Sequence, residues 1–175
     1  MKVRFPRLTD GSRAYCVVER SDGVRYRVRE GICGPKIPHD LLHFIVERET
    51  GEDGGFWGAV AAGAVFTSME HVDGRRPPHA ADRSAAAIRA RSGRLQRAEL
   101  MAALVTQVAD QRTSTDQDVR RMAREVLSTL PDAEVNVQRV VGAAEVLRRT
   151  ADHWATLAPG EELVVDWPRA QRRRL

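Results

Sequence analysis

The segment that most constrains this chain is RAYCVVERSDGVRYRVRE, residues 13–30, two strand-like runs around Ser21-Asp22-Gly23. Its second arm alternates strictly, Val24, Tyr26 and Val28 against Arg25, Arg27 and Arg29, so one face is apolar and the other charged. A two-residue Asp-Gly loop would set Arg20 opposite Arg25, a repulsive pair. A three-residue loop with Gly23 left-handed instead sets Glu19 opposite Arg25, Val18 opposite Tyr26 and Cys16 opposite Val28. That register is expected, and it makes Cys16 a buried small residue rather than a ligand or nucleophile.

The hairpin needs further strands. Val3 and Phe5 alternate with Lys2 and Arg4 ahead of the turn residues Thr9-Asp10-Gly11-Ser12, which predicts a strand over residues 2–7, placed at a sheet edge by Pro6. Glu162 to Trp167 follows Pro159-Gly160, carries β-branched and aromatic residues, and is expected to return to the same sheet. The intervening chain reads as helical. Pro38 opens a first helix that Gly51 ends, and residues 56–70, rich in Gly and Ala, predict a second, buried helix. Three amphipathic stripes follow: Met101, Leu104, Val105, Val108; then Val119, Met122, Ala123, Val126, Leu127, Leu130; then Val137, Val140, Val141, Ala144, Leu147, Ala151, Trp154. Ser114 or Thr115 is the expected cap of the middle one, and Pro131-Asp132 separates it from the last. The fold class is therefore α+β: a small antiparallel sheet, N-terminal strand plus hairpin joined by the C-terminal strand, packed against a five- to six-helix middle section.

At 175 residues, with 42% hydrophobic and 30% charged residues, the chain can bury a core without disulfides or structural metals. One domain over residues 1–168 is expected, with a basic, flexible tail over residues 169–175 that holds Arg169, Arg172, Arg173 and Arg174. Two cysteines do not make a disulfide scaffold, and the N-terminus lacks the apolar run of a signal peptide, so a cytoplasmic location is expected. The longest apolar stretch, residues 56–66, is well short of the roughly 20 residues of a membrane span, so no membrane partner is expected. With a net charge of only +4, concentrated in the tail, and no exposed aromatics interleaved with the hairpin arginines, nucleic acid is not the expected partner.

Chemistry concentrates on the first helix. At about 100° per residue, His39, Asp40, His43 and Glu47 fall within one quadrant, with Leu41, Leu42, Phe44, Ile45 and Val46 around most of the rest. His39 and His43 stand one turn apart, the separation that lets two imidazoles share one metal ion. The run His39-Asp40-Leu41-Leu42-His43 is similar over these five residues to the zincin metalloprotease signature H-E-x-x-H, with Asp40 where that family has its general-base Glu. Asp is shorter by one methylene, which disfavours peptidase chemistry. In one zincin branch a Glu on a later helix is the third ligand, and by that resemblance Glu70 takes the part. Geometry argues for the same region independently: if the first two helices form an antiparallel hairpin, Glu70 and His71 approach His39.

The expected site is thus His39, His43, Glu70 and His71 as metal ligands, with Asp40 or Glu47 as catalytic base or supporting group, and zinc or another divalent transition metal as cofactor. Two readings are open: a metal-binding protein or metal-dependent hydrolase acting on a small molecule or protein, and a non-catalytic helical interaction module whose stripe is structural. No phosphate loop, G-x-G-x-x-G, C-x-x-C or G-x-S-x-G motif occurs.

Overall fold

A computed structural model describes residues 1–112, 115–130 and 134–168, without the Ser92 side chain. The chain is α+β, with strands β1 (Lys2–Pro6), β2 (Arg13–Glu19) and β3 (Arg25–Ile32), then helices α1 (His39–Thr50) and α2 (Phe56–Ala61). Next come β4 (Met69–Asp73), α3 (Ala80–Arg89), α4 (Ser92–Gln111), α5 (Asp116–Val126), α6 (Val137–Thr156) and β5 (Glu162–Asp166). The expected basic tail, Ser114 and Pro131-Asp132 lie outside the described residues.

The hairpin has the expected register, Glu19 to Arg25, Val18 to Tyr26 and Cys16 to Val28. Gly23, at φ 79°, supplies the left-handed residue that a side chain would strain. All strands pair antiparallel in the order β4-β3-β2-β1-β5. β1 is consequently an interior strand, which corrects the edge position expected from Pro6. The correction has a local reason: β2 pairs only with Lys2 to Arg4, whereas Phe5 and Pro6 continue along β5 alone, so the missing N–H falls beyond the two-sided part.

A second correction concerns residues 62–73. The expected long second helix stops at Ala61, Gly63 takes φ 107°, and the chain re-enters the sheet as β4. Small residues made the segment read as one buried helix, but Met69 to Asp73 is held by pairing with β3.

One sheet face is buried. Val3, Phe5, Cys16, Val18, Tyr26 and Val28 meet Leu41 and Phe44 of α1, Leu104 of α4 and Leu147 of α6 in a single core. Helices α1, α4 and α6 pack on one another. On the other face Arg25 pairs with Asp73, Arg29 with Glu70 and Arg4 with Glu162, while the Arg27 guanidinium lies over the Tyr15 ring. No described helix is long and apolar enough to cross a membrane.

Candidate metal centre

Helix α1 begins at His39 because Pro38, at ψ 142°, cannot itself continue the helical backbone and serves as N-cap without a side-chain capping bond. Its i, i+4 spacing stacks the two imidazoles, with ring centroids 4.4 Å apart and the Nε2 atoms separated by 3.2 Å. Helix α4 crosses beside them. Glu99 on α4 brings Oε2 to 3.4 Å from His43 Nε2. The ligand atoms of His39, His43 and Glu99 all lie within 4.8 Å of one another.

The three differ in environment. His39 is 73% exposed, His43 is buried, and Glu99 is exposed. Burial holds the His43 imidazole below its usual pKa; the neighbouring His39 adds to this and Glu99 opposes it. A neutral imidazole is the coordinating form. Beside the triad runs an open groove of about 500 Å³ between α1 and α4, with Thr106, Gln107 and Asp110 along its wall. Ala102 and Ala103, one turn beyond Glu99, keep that wall low.

Glu70 and His71 do not join this group. Glu70 faces Arg27 across the β3–β4 ladder and pairs with Arg29 at 3.0 Å, and His71 contacts the Gly74 carbonyl at 2.9 Å through Nε2 and packs edge-on to Tyr26. The antiparallel helix hairpin that would have delivered them does not form, since α2 is only six residues long.

The stripe on α1 also divides. Glu47 is 1% exposed, and its Oε2 accepts hydrogen bonds from the backbone N–H groups of Trp57 at 3.0 Å and Gly58 at 3.1 Å. It caps the first turn of α2 and contributes nothing to the groove wall. Burial pushes its carboxyl up to about 8, against the pull of those backbone donors. Asp40 sits 3.7 Å from His39 Nδ1, longer than a hydrogen bond, and falls with Cys16 and Glu30 in a second group whose ligand atoms lie within 4.8 Å. Burial raises the Asp40 carboxyl, with His39 opposing and Glu99 adding. Neither residue faces the groove as the expected base.

The member of this triad that the sequence reading missed is Glu99. Its only local signal is a carboxylate followed by Ala102-Ala103 alongside the Met101, Leu104, Val105 and Val108 core stripe, a gap through which a neighbouring helix can approach. No protein-family model, curated protein or solved structure matches this chain.

Proposed function

We propose that the protein binds a divalent transition metal, of which zinc fits best, through His39, His43 and Glu99, and that it is a metal-dependent hydrolase. One observation carries this reading. Bonds of about 2.05 Å at tetrahedral angles separate ligand atoms by about 3.3 Å; the two edges that meet at His43 are 3.2 Å and 3.4 Å, and the third lies within 4.8 Å. Two imidazoles and a carboxylate are the donor set of open zinc sites, which keep one position for water or substrate. When bound, such an ion lowers the pKa of its water and polarises a carbonyl or phosphoryl oxygen. The chain's own residues supply the rest: neutral His43 is fixed by burial, exposed Glu99 adjusts by rotation, and the groove toward Asp110 admits a substrate. Glu47 acts at a distance by seating α2 against α1, and Asp40 lies beside His39 without a hydrogen bond to it.

The interaction-module reading draws on Glu47, whose capping contact is structural. The two readings separate by elemental analysis of untagged, metal-replete protein. The metal reading expects roughly one ion per chain, lost in His39→Ala plus His43→Ala and in Glu99→Gln, and retained in Glu70→Gln. Metal-free wild type after zinc loading would refute it.

A further inference from the structure

Where α1 meets the sheet, three side chains bring a thiol and two carboxyls together. Cys16 of β2 stands opposite Val28 of β3, and the two-residue period of a strand puts Glu30 on the same face as Val28, one step further along. Asp40, in the first turn of α1, joins that pair. One ligand atom from each, Cys16 Sγ and a carboxyl oxygen of Glu30 and of Asp40, lies within 4.8 Å of the other two. The hairpin pattern makes Cys16 a buried small residue, and it is one; the carboxyls beside its sulfur come from β3 and α1.

Acids often gather on a solvated surface, but this group is inside. Cys16 is 0% exposed, and Glu30 Oε1 is buried without a hydrogen-bond partner. Buried polar atoms are ordinarily satisfied, so that oxygen calls for a partner the side chains around it do not supply. Among the described residues, the one basic side chain that reaches either carboxyl is His39, 3.7 Å from Asp40. The missing cation shows in the acidity of the group. Burial pushes the Cys16 thiol up, with Glu30 and Asp40 adding to it, and burial together with Asp40 carries the Glu30 carboxyl up to about 8.

We infer that Cys16, Glu30 and Asp40 form a second metal site, for a thiophilic divalent ion of the zinc class, with ligands distinct from His39, His43 and Glu99. The donor set decides the class. A thiolate disfavours magnesium and calcium, which take oxygen ligands, and two carboxylates disfavour copper(I). Bonds of about 2.3 Å to sulfur and about 2.1 Å to oxygen at tetrahedral angles set these atoms about 3.6 Å apart, so the group closes onto an ion by movements of about 1 Å. Glu30 also lines a cavity of about 350 Å³ under the loop between β3 and α1, so rotation of its side chain opens a path for the ion and for a water in the fourth position. An ion here must displace the thiol proton, so the site fills after the metal centre and is read by titration in solution.

Cadmium is the probe, because its bond to a thiolate gives a charge-transfer band in the ultraviolet, and magnesium is the control, both titrated into the folded full chain at mildly alkaline pH. Cadmium should raise the band saturably, with an end point of about one ion per chain beyond the metal centre, and should raise the thermal midpoint; magnesium should do neither. Cys16→Ala should abolish the band and Cys33→Ala should leave it unchanged, which assigns the sulfur. Glu30→Gln and Asp40→Asn keep the thiol and the side-chain shape, and each should weaken cadmium at least about tenfold. His43→Ala plus Glu99→Gln removes the metal centre and should retain the band, so the two readings fail separately. No band at about 1 mM cadmium, a band that follows Cys33, a lowered thermal midpoint, or a band indifferent to both Glu30→Gln and Asp40→Asn would each overturn the inference.

Discussion

Burial drives the carboxyls of Glu30 and Glu47 up to about 8, and the consequence for stability has a definite sign. An acid whose folded-state pKa lies above its unfolded value binds its proton more tightly when folded. Its stabilising contribution is complete below the ordinary glutamate range and is lost as pH rises through about 8. The chain should therefore lose stability between pH 5 and 8, on the order of a few kcal/mol. Glu47→Gln, which keeps an acceptor for the Trp57 and Gly58 N–H groups, should flatten that slope and unfold at higher denaturant than wild type near pH 9. Urea midpoints measured across this range test it; an unaltered slope would show that Glu47 is ionised in the folded protein. Glu47→Ala leaves both backbone donors unpaired in the core and should cost about 1–3 kcal/mol at any pH. At this scale the sequence was a partial guide. The His39–His43 pair was legible because i, i+4 geometry is local. Glu47 was not, because the N–H groups that claim it belong to α2, ten residues away in sequence.

At the scale of elements, α1 makes three polar contacts with two neighbouring helices, α2 and α4. Glu47 caps α2, the Asp40 carbonyl accepts the Trp57 indole N–H at 2.8 Å, and His43 meets Glu99 of α4. The α1–α2 contact tolerates little. A Cβ built on Gly55 would lie 2.3 Å from the Glu47 carboxyl carbon, so Gly55→Ala must displace a buried side chain and should cost about 1–3 kcal/mol. Thermal unfolding checks this, and a change below about 0.5 kcal/mol would mean that the cap can move. Helix α5 provides a local contrast: Thr115 accepts from the Asp118 N–H, and Thr115→Ala should cost about 1 kcal/mol. That cap was readable in the sequence, as were the stripes of α4, α5 and α6, whose buried faces follow helical periodicity. The end of α2 was not readable. Ala and Gly are compatible with a close-packed helix or a turn, and the strand that follows is fixed only when β3 offers its edge.

In the whole molecule, the last strand completes the first. β5 pairs along all of β1, Leu163 enters the core, and Trp167 packs edge-on to Phe44 with centroids 5.4 Å apart. A chain ending at residue 161 would expose the β1 edge and open the core beneath it, so cooperative unfolding should disappear; a sharp transition in that truncation would show that β5 is dispensable. The milder Leu163→Ala should cost about 2–4 kcal/mol. The sequence by itself determined the α+β class, the hairpin with its register, the helix stripes and the imidazole pair. Each follows from periodicity and turn chemistry within a few residues. Only the tertiary structure decided that β1 is interior, that Glu70 and His71 belong to the sheet, and that Glu99 stands beside His43. Those outcomes depend on which helices pack and how closely small side chains let them approach, and such contacts leave no repeating signal along the chain.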